Sequence, residues 1–423
     1  MASGLTLCKY KFDNIGVIFE DGSTYTIPSR NVFYFSIEKD FFNDFLPILN
    51  VKCLVSNSIY KKVNKCITKF KISIKKFFVP VNSSTTFNKK SANIMYKKFI
   101  SDVFINVNNS DSSIDNTKDL KDKISKNTTR TAIEEDNVEL DLLLFTEESL
   151  NYRKLNDKIF SNGNMMNVLL ALSELTNQGK ILMTYPDNKT FYDDTNIIIP
   201  NNLTFLGCVK YLQNVYGIYN NGYILFRDFD KLFLVDKSLN CNAYQKGEFK
   251  RVYMRFGNLT DDNSNIYGQI NNNSNKSYLI NCISAPAIST NSTSTNELLF
   301  DNLHVMNTYS GKSSTESVDM MKSTANKTTK VIEDKYDNKF AINSTIYEIN
   351  LNNYNISTTF NEVDVDILTP NKEFFFDIKI NDKDYKKISG LVKLSRFMAV
   401  FDKGNSTDDE MFNCVVNAEF KRA

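Results

Sequence analysis

The chain holds one histidine, His304, and no tryptophan among its 423 residues. A single imidazole leaves little room for His-rich metal sites, Ser–His–Asp triads or Cys–His dyads. His304 itself stands in the strand-like context Leu303-His304-Val305 and reads as a structural residue. Glycine and proline are scarce, at 14 and 7, and neither G-x-x-x-x-G-K-[ST] nor G-x-G-x-x-G occurs. The phosphate-cradling loops that those motifs build are therefore not expected. The seven cysteines, Cys8, Cys53, Cys66, Cys208, Cys241, Cys282 and Cys414, are odd in number and form no C-x-x-C pair. That pattern argues against a disulfide framework or a zinc site, and for small buried hydrophobes in a reducing place of synthesis. No apolar run reaches the roughly 18 residues of a membrane span, and Met1–Lys9 lacks the basic and apolar regions of a signal peptide. Charge is balanced, 51 Lys+Arg against 49 Asp+Glu, so no whole-chain field recruits nucleic acid or a membrane surface.

What the chain does have is 42% hydrophobic and 13% aromatic residues, enough to build cores. Its length predicts two to four domains. The first 80 residues read as β-structure. Val17-Ile18-Phe19 meets an Asp21-Gly22 turn and continues as Thr24–Ile27. Val32–Ile37 and Leu46–Val55 are further strands, with Pro47 at a strand start or edge because it donates no ladder hydrogen bond. Ser58 is a candidate cap for a short helix over Ile59–Lys65. From Cys66 to Phe77 the chain alternates, with Cys66, Thr68, Phe70, Ile72 and Ile74 on one face and Lys69, Lys71, Ser73 and Lys75 on the other. This is a half-buried antiparallel strand whose lysines form a solvated face that also protects an edge.

Asn106 to Asp136 is polar, with sparse apolar residues, and reads as a linker or extended arm. Val138–Phe145 is an apolar strand or short helix. Asn164 precedes an amphipathic helix carrying Met165, Val168, Leu169, Leu172 and Leu175, closed by Gly179. Ile181–Tyr185 and Ile197–Ile199 are strands. Pro200-Asn201-Asn202 opens a second helix with Phe205, Leu206, Val209, Leu212 and Val215, ending at Gly217. After the Asn220-Asn221-Gly222 turn, Tyr223–Phe226 and Leu232–Val235 form a hairpin. From Gly257 to about Lys339 the chain is again polar, with Tyr278–Ser284 and Glu297–Val305 as strand candidates. The last segment returns to β. Phe374, Phe376, Ile378 and Ile380 alternate with polar neighbours. A turn at Asn381–Lys383, a strand over Leu391–Phe401 and a closing strand over Met411–Phe420 follow, the last with Cys414, Val416, Ala418 and Phe420 on one face.

Few residues suggest chemistry. Asp261-Asp262-Asn263-Ser264-Asn265 offers oxygen ligands but lacks the glycine and terminal Glu of a calcium loop. Glu134-Glu135-Asp136 and Glu147-Glu148 are the nearest acid pairs, placed beside helix or strand starts where acids are favoured anyway. No catalytic residue, cofactor-binding residue or metal ligand is assigned from the sequence, and no cofactor is expected.

Three stretches together carry a resemblance. Near the start stand Phe35–Ser56, Ile59–Lys62 and Phe70–Phe77. In the middle stand Ile199–Leu212, Val215–Tyr219 and Phe229–Leu234. At the end stand Leu391–Phe397 and Phe412–Phe420. Their order resembles the baseplate hub proteins of contractile-tailed bacteriophages and related tail proteins, over about half the chain. The resemblance implies a mainly β, α+β fold in which small antiparallel β-barrel domains are joined by an α/β domain, with long polar loops or arms. The segments would be a barrel-like domain at 1–80, a polar arm at 81–137, the α/β domain at 138–256, a loop-rich insert at 257–345 and a second barrel-like domain at 346–423. It further implies a virion protein of the tail baseplate, made in the host cytoplasm and not an enzyme. Its partners would be other copies of itself, commonly as a trimer, with tail-tube, central-spike and baseplate-wedge proteins. No nucleic acid and no membrane span are expected. Two other classes remain open. A carboxylate-dependent glycan hydrolase of the tail requires two acids about 5–10 Å apart in a cleft. A single-strand nucleic-acid-binding protein on an OB-like barrel requires basic residues beside exposed aromatics along a groove.

Overall fold

The computed structural model describes residues 6–42, 44–80, 95–106, 137–147, 149, 155–156, 160–162, 164–175, 181–187, 197–228, 231–238, 249–256, 267–272, 275–282, 287–290, 302–307, 313–317, 329–334, 340, 343–344, 347, 354–370, 373–381, 384–403 and 411–422. Strands dominate, most of them paired antiparallel.

The chain opens with β1 (Thr6–Phe19) and β2 (Thr24–Pro28), joined by the expected tight turn. Gly22 adopts φ +78° there, and Asp21 accepts hydrogen bonds from the Ser23 backbone N–H and hydroxyl. β3 (Val32–Asp40) and β4 (Asp44–Ser56) form the next hairpin. Pro47 falls inside β4, but where the β3 pairing shifts register and before the next strand begins to pair at Leu49, so no ladder bond needs its missing N–H. The short helix α1 (Asn57–Lys65) starts earlier than expected, with Ser56 rather than Ser58 at the cap position. The Ser56 backbone is already extended, and its hydroxyl lies 3.0 Å from that of Ser58 instead of on a helix N–H. β5 (Thr68–Pro80) buries Thr68, Phe70, Ile72 and Ile74, as its alternation requires. β6 (Met95–Asn106) lies inside the expected polar arm, yet pairs with β5 along its length and buries Ile100, Phe104 and Ile105. β7 (Asn137–Thr146) is a strand, not a helix, and pairs with β4, burying Leu140, Leu142 and Leu144.

The middle unit follows the expected order. β8 (Phe160–Asn162) leads to α2 (Met165–Leu175), where the Asn164 side chain accepts from the Met166 N–H at 2.8 Å. Met165, Val168, Leu169 and Leu172 face inward. β9 (Ile181–Met183) and β10 (Ile197–Ile199) are short, and β10 pairs with β8. Helix α3 (Phe205–Val215) is capped by Thr204, whose hydroxyl accepts from Gly207 N–H at 3.1 Å, and it buries Phe205, Cys208, Val209 and Leu212. Gly217 ends it at φ +78°, donating to Leu212 O at 2.8 Å. A Cβ at Gly217 would run into the Phe340 ring. Gly217→Ala is therefore expected to cost more than the roughly 1 kcal/mol of left-handed strain alone, read as a lowered midpoint in urea unfolding. β11 (Tyr223–Asp228) and β12 (Lys231–Asp236) form the hairpin, and β9 adds to it in parallel beside β12. The helix, strand, helix, hairpin order read from the sequence is thus present.

β13 (Phe249–Phe256), β14 (Tyr267–Asn272), β15 (Asn275–Cys282) and β16 (Ala287–Thr290) follow, and β13 pairs in parallel with β15. β17 (Asn302–Asn307), β18 (Ser313–Ser317) and β19 (Thr329–Asp334) make a separate three-stranded sheet containing His304. The final strands are β20 (Tyr354–Asn361), β21 (Glu373–Asn381), β22 (Asp384–Asp402) and β23 (Asn413–Arg422). β23 buries Cys414, Val416, Ala418 and Phe420 together, as its alternation predicts. Of the alternating set in β21, Phe374 is buried; the side chains of Phe376, Ile378 and Ile380 lie outside the described residues.

Among the described residues no closed barrel forms at either end of the chain. The two ends are joined by β22, a strand of 19 residues. Its first half pairs with β21. From Val392 onward it takes β23 on one edge, and beyond a register shift between Leu394 and Arg396 it takes β3 on the other. Strands from both ends of the chain thereby join one 15-stranded sheet. Their shared core is aromatic: Phe35 of β3 stacks on Phe401 of β22 at 4.0 Å, with Phe12 and Phe412 edge-on at 4.5 and 5.2 Å.

Candidate assembly surface

Lys76 follows Lys75 on β5, and the alternation turns it inward. Its side chain is fully buried and its ammonium pairs with two acids, Asp364 at 2.7 Å and Asp366. Both acids sit in the segment between β20 and β21. Asp364 Oδ1 also accepts from the Asp366 N–H at 3.1 Å, closing the turn. Beside them, the buried Tyr10 hydroxyl donates to Val363 O at 2.8 Å and accepts from Val365 N–H at 2.9 Å. Lys9 pairs with Glu362 and donates to Asn413 Oδ1 at 2.7 Å. Backbone bonds Cys8 N–H to Glu362 O and Glu362 N–H to Cys414 O complete the seam. Burial pulls the Lys76 pKa down, but Asp364 and Asp366 outweigh it, so the net shift is upward. The ammonium therefore stays charged, and this cluster is an ion-pair clamp joining β1 and β5 to the C-terminal strands. Tyr10→Phe strips partners from a buried N–H and C=O. The expected loss is about 1–3 kcal/mol, read as a lower unfolding midpoint with unchanged far-ultraviolet circular dichroism.

The second feature is the outward face of β20, β23, β22 and β3. Register places Thr359, Asn417, Met398 and Glu38 in one row across these strands, and Ser357, Glu419, Arg396 and Asp40 in the next. The face is concave, enclosing about 460 Å³. Arg396 donates to Glu419 at 2.5 Å, and Thr359 donates to Asn417 at 2.9 Å. Hydrogen bonding to Glu419, then the charges of Glu419, Asp40 and Glu38, raise the Arg396 pKa. Three carboxylates around one guanidinium leave the face acidic, with exposed Met398 as an apolar centre.

Residues singled out in the sequence take bland positions. Glu147 pairs with Lys69 at the surface, while Glu148, Glu134-Glu135-Asp136 and Asp261–Asn265 lie outside the described residues. Cys8, Cys53, Cys66, Cys208 and Cys414 are free thiols. Burial pushes Cys53 up to about 12 and Cys208 up to about 11, holding both as inert thiols. Exposed Lys69 and Lys71 lie on the opposite face of β5 from buried Phe70, and half-buried Phe77 shares their face. Among the described residues no group of three or more His, Cys, Asp or Glu is placed to hold a metal, and no helix is long and apolar enough to cross a membrane. Lys76 and its acids were missed because the partners are 288 and 290 residues apart in the chain. The one local signal was the parity of Lys76 in the β5 alternation.

The family model described as Bacteriophage PBS1 gene 109 protein matches residues 4–417. The chain belongs to that family. The match takes in the polar segments that the resemblance drawn from the sequence left out. This gene 109 family chain is also similar in structure to the tail protein of Neisseria meningitidis MC58, with a TM-score of 0.52 at 9% identity, covering 97% of this chain and 96% of that one. The 43 kDa tail protein of prophage MuSo2 from Shewanella oneidensis is similar at 8% identity, covering 96% and 97%, with a TM-score of 0.47. A chain of the Francisella PdpA–VgrG complex is similar at 10% identity, covering 98% of this chain but 53% of that one, with a TM-score of 0.49. No curated protein matches. The likeness to the Neisseria protein shows that the gene 109 family chain shares its fold with that protein over 97% of its length.

Proposed function

We propose that the chain is a structural component of a phage tail baseplate, hub-like in position, joining the tail tube to the central spike and the surrounding wedge proteins through oligomeric contacts. The observation that carries this reading is the end-to-end likeness to a tail protein in a chain of a phage family. The fold suits the role. The clamp at Lys76 and the aromatic core around Phe35 fasten both chain ends into one sheet, and a rigid sheet presents broad faces for fixed contacts. On this reading the acidic concave face around Arg396 is a partner surface, and the protein acts by contact, not by turnover. Mixing purified protein with tail-tube protein from the same phage tests it. A co-sedimenting complex is expected, and two independently sedimenting species would count against the role.

A further inference from the structure

The concave face of β20, β23, β22 and β3 is a trough that crosses the strands. Its walls are the row through Glu419 and Arg396 and the row through Met398 and Glu38. Between the rows Thr358, Ala418 and Phe397 are buried, their side chains on the core face, so the floor is bare backbone. Rows two residues apart along a strand are separated by about 6.7 Å, and four strands at about 4.8 Å spacing make the trough about 14 Å long. An α-helix with its side chains is about 10 Å across and does not enter. An extended chain does, and about four residues span the length. The charges along the trough are uneven. Arg396 is already engaged by Glu419. Glu38, at the β3 end, is exposed and enters no ion pair among the described residues. Asp40 follows it two residues on along β3. Lys421, one row beyond Glu419, has its ammonium 5.5 Å from the centre of the Phe42 ring. Met398 lies opposite Glu38 in the β22–β3 pair and is 38% exposed. An apolar thioether thus adjoins an exposed carboxylate. The β20 end is neutral, lined by Ser357, Thr359 and Asn417.

We infer that the trough takes an extended segment of a partner protein through a lysine or arginine side chain, with the stem on Met398 and the cation at Glu38. Charge and shape select that occupant together. Lysine and arginine join an apolar stem to a cationic head, which matches the order of Met398 and Glu38 along the wall. An acidic segment would meet Glu38, Asp40 and Glu419 with one guanidinium to offset them. A wholly apolar segment would bury the Glu38 carboxylate with nothing to compensate it, which outweighs contact with one methionine. At the neutral end Ser357 and Asn417 offer hydrogen bonds to the segment's backbone. The inference deepens the proposed structural role by naming the chemistry of a partner at this face, and it rests on that role only for which protein the partner is.

Fluorescence anisotropy of the full chain with the labelled peptide Thr-Lys-Thr-Lys-Thr tests it, since threonine favours the extended form. Saturable binding that weakens as salt rises is expected. Glu38→Gln is expected to weaken it about fivefold, the order of one exposed ion pair, with an unchanged circular dichroism spectrum. Met398→Ser also weakens it, because the lysine stem loses its apolar contact. Glu147→Gln alters an exposed acid outside the trough and leaves binding as it was. The counterpart Thr-Glu-Thr-Glu-Thr is expected not to bind. No binding of the lysine peptide at millimolar concentration overturns the inference, as does equal binding of the glutamate peptide or an affinity indifferent to Glu38→Gln. Displacement by an equal concentration of spermidine overturns it too, because the face then only gathers free cations. Lysine-peptide binding that follows the variants, together with antibody label on the capsid, sustains this site and refutes the tail role. Label at the tail tip with binding indifferent to the variants does the reverse.

Discussion

Lys76→Met lowers stability by about 3–5 kcal/mol, because it leaves the buried Asp364 carboxylate without its cation while keeping the side-chain volume. Asp366 is 43% exposed and contributes little to that cost, since water replaces its partner. The double variant Lys76→Met/Asp364→Asn removes both charges and is expected to recover most of the loss. pH dependence separates this account from a simple packing defect. The clamp titrates through Lys76 in an alkaline window, and Lys76→Met lacks that dependence. The folded pKa of Lys76 lies above its ordinary value, so the clamp's contribution is complete below the unfolded lysine pKa and is lost as pH rises through the folded one. Urea midpoints across pH for the three proteins check all of this. A Lys76→Met deficit independent of pH would show that lost packing, not lost charge compensation, is responsible.

Phe35→Ala is the second large effect, about 3–5 kcal/mol. The ring is fully buried, stacked on Phe401 and edged by Phe12 and Phe412, so three neighbouring rings lose contact at once and the surrounding strands are held by hydrogen bonds too firmly to collapse into the gap. Phe35→Leu keeps most of the volume and loses less. Because Phe35 lies on β3 and Phe401 on β22, the cavity also loosens the junction between the two ends of the chain. Hydrogen exchange should therefore quicken in β3 and β22 together. Faster exchange in β3 alone would mean that the ends are not coupled through this core.

What the sequence made legible was local. The alternation of β5 and β23, the turn at Gly22, the helix stop at Gly217 and the helix–strand–helix–hairpin order of the middle unit each depend on neighbours within a few residues, and each stands in the structure. The pairing of β3 with β22 joins residues more than 350 positions apart, and nothing in either strand's own pattern specifies the other. For the same reason the sequence does not reveal that strands from both ends share one sheet. β6 was hidden by the polar residues around it, since Ile100, Phe104 and Ile105 count as a strand only once β5 offers an edge to pair with. The acidic concave face was invisible too. Glu38, Arg396 and Glu419 are unremarkable singly and become a surface only when register sets them in adjacent rows.

The central claim is that this chain is built into the tail baseplate as a structural part, and electron microscopy of intact particles bound by antibody against the chain tests it most directly. The account predicts label at the tail tip, in fixed number per particle. Label on the capsid, or particles that carry none of the chain, would contradict it.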